Sequence, residues 1–257
     1  MRTFQIGLCA SAMLFTSAGM AQTVDGDAPQ NDNHIAIGLG ALMQESPFKG
    51  EKSQVYPLPL VSVKKGVFYI EAAEVGLQIS PDVGGKFKPS LSGFVTIRTP
   101  SGRDRAKVTA DAGIRAALET PVGQLSAEYR HDISNKFDGG EFIGRYSFPI
   151  SLGKVTITPA AQVSMLDRKT ANYMYGVTAK QRAKMIAKHR DVIQPIYTVT
   201  DKATNLGGDI STVWQISDRI MLLGILGGTY LDKSVRLNRP TVKKWESQAI
   251  LGVAYKF

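Results

Sequence analysis

The chain has 257 residues, 43% of them hydrophobic, and carries 31 lysines and arginines against 22 aspartates and glutamates, a formal charge of +9. Its single cysteine, Cys9, lies in the first apolar run, so the rest of the chain has no disulfide, Cys-based metal site or Cys nucleophile. The basic residues are dispersed and not interleaved with aromatics, which argues against a nucleic-acid partner and points to an anionic cell surface.

The chain opens MRTFQIGLCASAMLFTSAGMAQ, with Arg2, an apolar run from Phe4 to Phe15, and small residues up to Ala21. A run of roughly 12 apolar residues is too short for a membrane span of about 20, so residues 1–21 read as a secretory signal peptide. Leu8, before Cys9, is too large for a lipoprotein cleavage site. Residues 22–33 (QTVDGDAPQNDN) are polar and aperiodic and read as a disordered leader.

From His34 onward the pattern is two-residue alternation. Ile35, Ile37, Leu39, Ala41 and Met43 alternate with Ala36, Gly38, Gly40 and Leu42; Val108 to Leu118 alternate with Thr109, Asp111, Arg115 and Glu119. Leu125, Ala127 and Tyr129 alternate with Glu128 and Arg130; Phe142 to Ile150 alternate with Glu141, Arg145 and Ser147. Residues 155–165 continue the pattern, and 89–99, 203–216 and 219–231 repeat it more loosely. One face is apolar and the other is polar, as in strands with lipid on one side and a polar lumen on the other. Strands of about ten residues fit a tilted membrane-spanning strand. If the last strand, Gln248 to Phe257, runs into the periplasm, the short turns near 217, 152 and 121 share its side. The longer connections 100–106, 133–140, 167–202 and 232–246 then lie outside the cell, in the order expected of outer-membrane barrels.

These patterns predict an all-β fold for residues 34–257: a transmembrane antiparallel up-and-down β-barrel of about 12 strands. Eleven strands are directly readable, and bacterial barrels have an even number. A fold-back where alternation falters, at Ala72-Ala73-Glu74, gives twelve; ten is the alternative. Pro57 and Pro59 each remove a ladder donor, which predicts an edge-like start to the strand around them.

A two-residue turn at Pro121 and Val122 sets Arg115 opposite Glu128 on the lumen side. Asp111, Glu119, Arg130, Asp132, Glu141 and Arg145 are expected on the same face, where a polar interior pairs its charges. The long outer connection contains Thr178 to Arg190, with Ala179, Ala183, Ile186 and Ala187 at helical spacing among Lys180, Arg182, Lys184 and Lys188. This predicts one short basic helix, lying on the lipopolysaccharide surface, binding a partner or capping the mouth. His34, His131 and His189 show no metal-ligand spacing. His131 and Ser134 stand near each other without a third group to orient the base, so no catalytic, cofactor or metal residue is assigned.

The chain resembles the MipA/OmpV family of outer-membrane proteins. The resemblance rests on IAIGLGALMQESPFKG at the first strand, Tyr56-Pro57-Leu58-Pro59, Gly66-Val67-Phe68-Tyr69, Asn172 to Val177, and the ending Gly252 to Phe257. It implies a barrel in the outer membrane of a Gram-negative bacterium, bedded in lipid and lipopolysaccharide. It also implies a final Tyr255 and Phe257 that serve as the end read by the barrel-insertion machinery. The function it implies is a non-enzymatic scaffold linking a murein transglycosylase to a murein synthase. A small-solute channel and a surface adhesin are the alternatives.

Overall fold

A computed structural model describes residues 33–48, 50–98, 108–236 and 243–257. The predicted signal peptide, the leader up to residue 32 and the connection 100–106 lie outside the described residues.

The strands are β1 (His34–Glu45), β2 (Gln54–Lys65), β3 (Phe68–Glu71), β4 (Glu74–Ile79), β5 (Lys88–Arg98), β6 (Thr109–Thr120) and β7 (Gly123–Asp132). They continue with β8 (Gly140–Ser147), β9 (Ile150–Leu152), β10 (Val155–Leu166), β11 (Ala203–Gln215), β12 (Ile220–Tyr230) and β13 (Trp245–Lys256). Pairing is antiparallel throughout, and β13 returns to β1 with Leu39 opposite Val253, which closes the barrel. β9 resumes the line of β8 after Phe148 and Pro149 and pairs only with the start of β10. The wall therefore has twelve staves and one short supplement. Closure removes the free edges that an open sheet would expose.

The twelfth stave comes from the fold-back at Ala72 and Ala73. Ala72 takes a left-handed φ of 48° and donates its N–H to Val61 O at 2.8 Å. The hairpin of β3 and β4 is thus much shorter than its neighbours, and β3 pairs only with Ser62 to Lys65 of β2. Val61 points its carbonyl toward β3, so Pro59 and Pro57, two and four residues away, direct their missing donors to the same unpaired side. This is the edge-like start that the two prolines predict.

Large apolar side chains face outward along the wall. Leu39 is 71% exposed, and Ile114, Leu125, Ile210, Leu226 and Leu251 are also exposed. No helix among the described residues is long and apolar enough to cross a membrane; the crossing is made by strands.

At one end the connections are short, apart from residues 80–87; the other end carries a folded cap. The cap contains α1 (Arg168–Tyr175), α2 (Ala179–Ala187) and α3 (Lys233–Arg236). Only α2 was expected. α1 turns Ala171, Met174 and Tyr175, at helical spacing, into the cap core, and its start is set by Asp167, whose carboxylate accepts from the N–H of Thr170 at 2.7 Å. Phe48, Leu166, Ala171, Tyr175, Val199 and Leu231 form the buried core of the cap.

Candidate functional site: the barrel interior and its cap

Alternation on β5 to β8 turns polar side chains inward, where they are buried and each charge needs a partner. Arg115 is the centre of one cluster. Its Nε donates to Glu128 Oε2 at 2.7 Å, its Nη1 and Nη2 grip Glu74 at 2.9 and 2.8 Å, and its guanidinium lies 4.7 Å from the Phe94 ring centroid. Tyr69 OH donates to Glu74 Oε1 at 2.7 Å. This two-pronged geometry exploits the planar fork of arginine.

A second cluster lies nearer the cap. Arg98 donates to Asp111 Oδ2 at 2.7 Å and Glu141 Oε2 at 2.8 Å, and Arg130 Nε reaches the same Glu141 oxygen at 2.9 Å. Ser164 also donates to Glu141, and Asp111 is 0% exposed. A third pair joins β8 to β11: Arg145 holds Asp209 through two bonds of 2.7 and 3.0 Å.

The structure thus brings Asp111, Arg115, Glu128, Arg130, Glu141 and Arg145 into buried ion pairs. Asp132 instead accepts from the N–H groups of Ser134, Lys136, Phe137 and Asp138 in the outer connection, and Glu119 is also an exception. It is only half-buried at the turn end, opposite Lys88 in the β5–β6 register, and takes part in none of these pairs. Its position one residue before the end of β6 puts it at the rim, where solvent solvates it. Sequence reasoning missed Arg98, Glu74 and Asp209. Arg98 closes the loose strand at 89–99, Glu74 sits at the fold-back, and Asp209 lies between Gly208 and Ile210 in a loosely alternating strand.

Across the barrel the filling changes. Leu60, Val213, Met221, Leu223 and Ala254 form a buried apolar cluster, with Leu58 and Ile225 against it.

The cap is tied to both regions. Asp167 accepts from the N–H of Gly140 at 2.9 Å, joining α1 to β8. Tyr175 OH donates to Glu246 at 3.2 Å and accepts from Asn205 at 3.3 Å. Asp232 accepts from the N–H groups of Ser234 at 2.7 Å and Thr204 at 3.1 Å. Burial raises the Asp167 carboxyl pKa, but the N–H groups of Thr170 and Gly140 outweigh it and hold the carboxyl below its ordinary value. Asp232 behaves likewise: burial is outweighed by Ser234, the Thr204 N–H and Arg236. The charge-bearing side chains of α2, Lys180, Arg182, Lys184 and Lys188, are exposed, and Met185 is its buried contact. The residues expected to form its apolar stripe, Ala179, Ala183, Ile186 and Ala187, are all exposed as well, so the helix is held by Met185 and not by that stripe.

Ser134 and His131 do not engage each other. Ser134 Oγ donates to Asp132 at 2.5 Å, and His131 pairs with Asp138 at 3.2 Å. At the closing seam, Phe257 donates its N–H to Ile35 O at 2.9 Å and leaves its ring 74% exposed, edge-on to Tyr255 at 5.0 Å.

The sequence profile described as MltA-interacting protein MipA matches residues 37–257. The MltA-interacting protein of Escherichia coli K12 is 24% identical over 264 residues, covering 97% of this chain and 98% of the relative. The putative outer membrane protein YiaT of the same strain is 22% identical, covering 88% and 92%. OmpV of Vibrio cholerae is 30% identical over a shorter stretch, 46% of this chain and 42% of the relative. Among solved structures, OmpT of Vibrio cholerae aligns with a TM-score of 0.43 at 6% identity, covering 86% of this chain and 96% of that one. An outer-membrane channel of Pseudomonas putida also gives 0.43, at 10% identity, covering 92% and 100%.

Proposed function

We propose, from the premise that the chain belongs to the MipA family and is an outer-membrane β-barrel of a Gram-negative bacterium, that it acts as a non-enzymatic scaffold. It holds a murein transglycosylase, and through it a murein synthase, against the inner face of the outer membrane. The observation that carries this reading is the filled interior: ion pairs occupy one side, apolar side chains the other, and a folded cap lies above. A barrel so filled offers its surfaces, rather than its lumen, to a partner. The relative named MltA-interacting protein, covered almost end to end, supports the choice of partner. In the same reading Tyr255 and Phe257 are the end taken by the insertion machinery, and the basic face of α2 meets lipopolysaccharide. Affinity purification from solubilised outer membrane tests the scaffold. Co-purification of a murein transglycosylase is expected, and a barrel recovered alone overturns it.

A small-solute channel is the second reading. What favours it is a set of buried atoms without a hydrogen-bond partner: Asp111 Oδ1, Glu128 Oε1, Arg130 Nη1 and Arg145 Nε. Such atoms call for ordered water, and a chain of water is the start of a path. Planar-bilayer recording decides: discrete conductance steps support this reading, and a silent barrel removes it.

A further inference from the structure

The turn end of the barrel has connections of two residues at 66–67, 121–122 and 153–154 and of four at 216–219. The connection between β4 and β5 is different. Its eight residues, 80–87 (SPDVGGKF), are all exposed, with Val83 at 60% and Phe87 at 57%. It protrudes from the side that faces the periplasm when short turns are periplasmic.

The charges around it are unbalanced. Lys64 and Lys65 end β2, whose turn to β3 borders the loop, and Lys86 and Lys88 flank Phe87. Against these four cations stand Asp82 and Glu119, and the register sets Glu119 opposite Lys88. An exposed valine and phenylalanine within a basic rim match a partner of opposite design: an apolar socket bordered by carboxylates.

We propose that loop 80–87, with Val83 at its tip and Lys86 and Lys88 beside it, is the docking element for a periplasmic protein whose contact face is acidic around an apolar socket. This rests on the scaffold reading and assigns it a surface. Residues 80–87 lie outside every strand ladder, so substitutions at Val83 and Lys86 leave the wall intact; Lys88 opens β5 opposite Glu119 at the rim, and the unfolding midpoint shows whether its reversal disturbs that pair.

The test uses the full chain, refolded in detergent micelles, and the purified murein transglycosylase of the same cells. Val83→Asp and the pair Lys86→Glu/Lys88→Glu are expected to weaken binding about tenfold at low salt, with the charge-reversed pair losing most of the salt dependence. Lys52→Glu/Lys136→Glu, the same charge change on exposed residues of the opposite end, is expected to bind as the unaltered chain does. Unfolding midpoints of all variants check that the barrel is intact. Unaltered protein that binds while the loop variants bind equally well overturns the docking assignment alone. Unaltered protein that binds no transglycosylase overturns both this assignment and the scaffold reading. If the loop variants lose affinity for anionic phospholipid vesicles or murein sacculi but not for the enzyme, the rim serves lipid or murein and the assignment fails.

Discussion

The interior beside β5 to β8 and the interior beside β11 to β13, β1 and β2 fill one barrel by opposite chemistry. The first is a set of arginine–carboxylate clusters, each arginine shared between strands that are neighbours or near neighbours in the wall. The second is a packed apolar cluster led by Leu60, Val213 and Leu223. The charged side gains specificity: Arg115 finds Glu74 and Glu128 in one register, and a slip by one residue turns every inward charge to lipid. The apolar side gains density and tolerates rearrangement better, because dispersion contacts are non-directional. One side fixes the arrangement of the staves, and the other completes their packing.

Removing one member of a charge cluster should therefore produce the largest effect. Arg115→Met leaves Glu74 and Glu128 buried and uncompensated, an expected loss of about 3–5 kcal/mol. The guanidinium unfolding midpoint of the barrel refolded in lipid vesicles reads it. The triple change Glu74→Met/Arg115→Met/Glu128→Leu should recover most of that loss, since no charge is then stranded. A single change costing under about 1 kcal/mol breaks the comparison, because it means water already solvates the cluster.

On the apolar side, Val213→Ala removes two methyl groups from the buried cluster. At roughly 0.8 kcal/mol per buried carbon group, the expected loss is about 1.5 kcal/mol, independent of salt. The same midpoint measures it. A loss equal to that of Arg115→Met would erase the distinction between the two fillings.

The two sides also differ in how far the sequence discloses them. The pairing of Arg115 with Glu128 is legible because a two-residue turn at Pro121 and Val122 sets the register, and the observed ladder has that register. The fold-back at Ala72 is legible as a break in alternation. Glu74, just beyond it, is not legible as a partner of Arg115, because the contact spans three strands and 41 residues. Arg98 meets Glu141 over 43 residues for the same reason. Strands β11 and β12 read loosely because Val213 faces inward and Trp214 outward, so an apolar residue on each face erases the period. Glu119 carries the right alternation but stands at the rim, and a period of two gives the face without giving the depth.

The cap tests whether the two fillings share a lid. Asp167 anchors it to the charged side and Asp232 to the strands of the apolar side, and both carboxyls have native pKa values below the ordinary one. A depressed native pKa contributes stability above the unfolded value of about 3.9, and that contribution is lost as pH falls through the native value. Protease cleavage within residues 167–202 of protein in vesicles should therefore stay slow at pH 7 and accelerate below about pH 4, before the strands unfold. Equal cleavage at both pH values would show that the apolar core of the cap, around Leu231 and Tyr175, holds it alone.

The smallest effect belongs to the helix that touches neither filling. Thr178 caps α2: its hydroxyl accepts from the Gln181 N–H at 3.2 Å, while the Gln181 side chain accepts from the Thr178 N–H at 2.6 Å. Thr178→Ala removes one half of this reciprocal box, a change that costs about 1 kcal/mol of helix stability. With Met185 as the buried contact of α2, little of that cost is transmitted to the wall. Hydrogen exchange of the amides at 179–187 should speed several-fold while the unfolding midpoint stays within error. A shifted midpoint would mean that α2 is structurally part of the lid. Its exposed lysines would then be the outer face of a load-sharing element rather than a free basic surface.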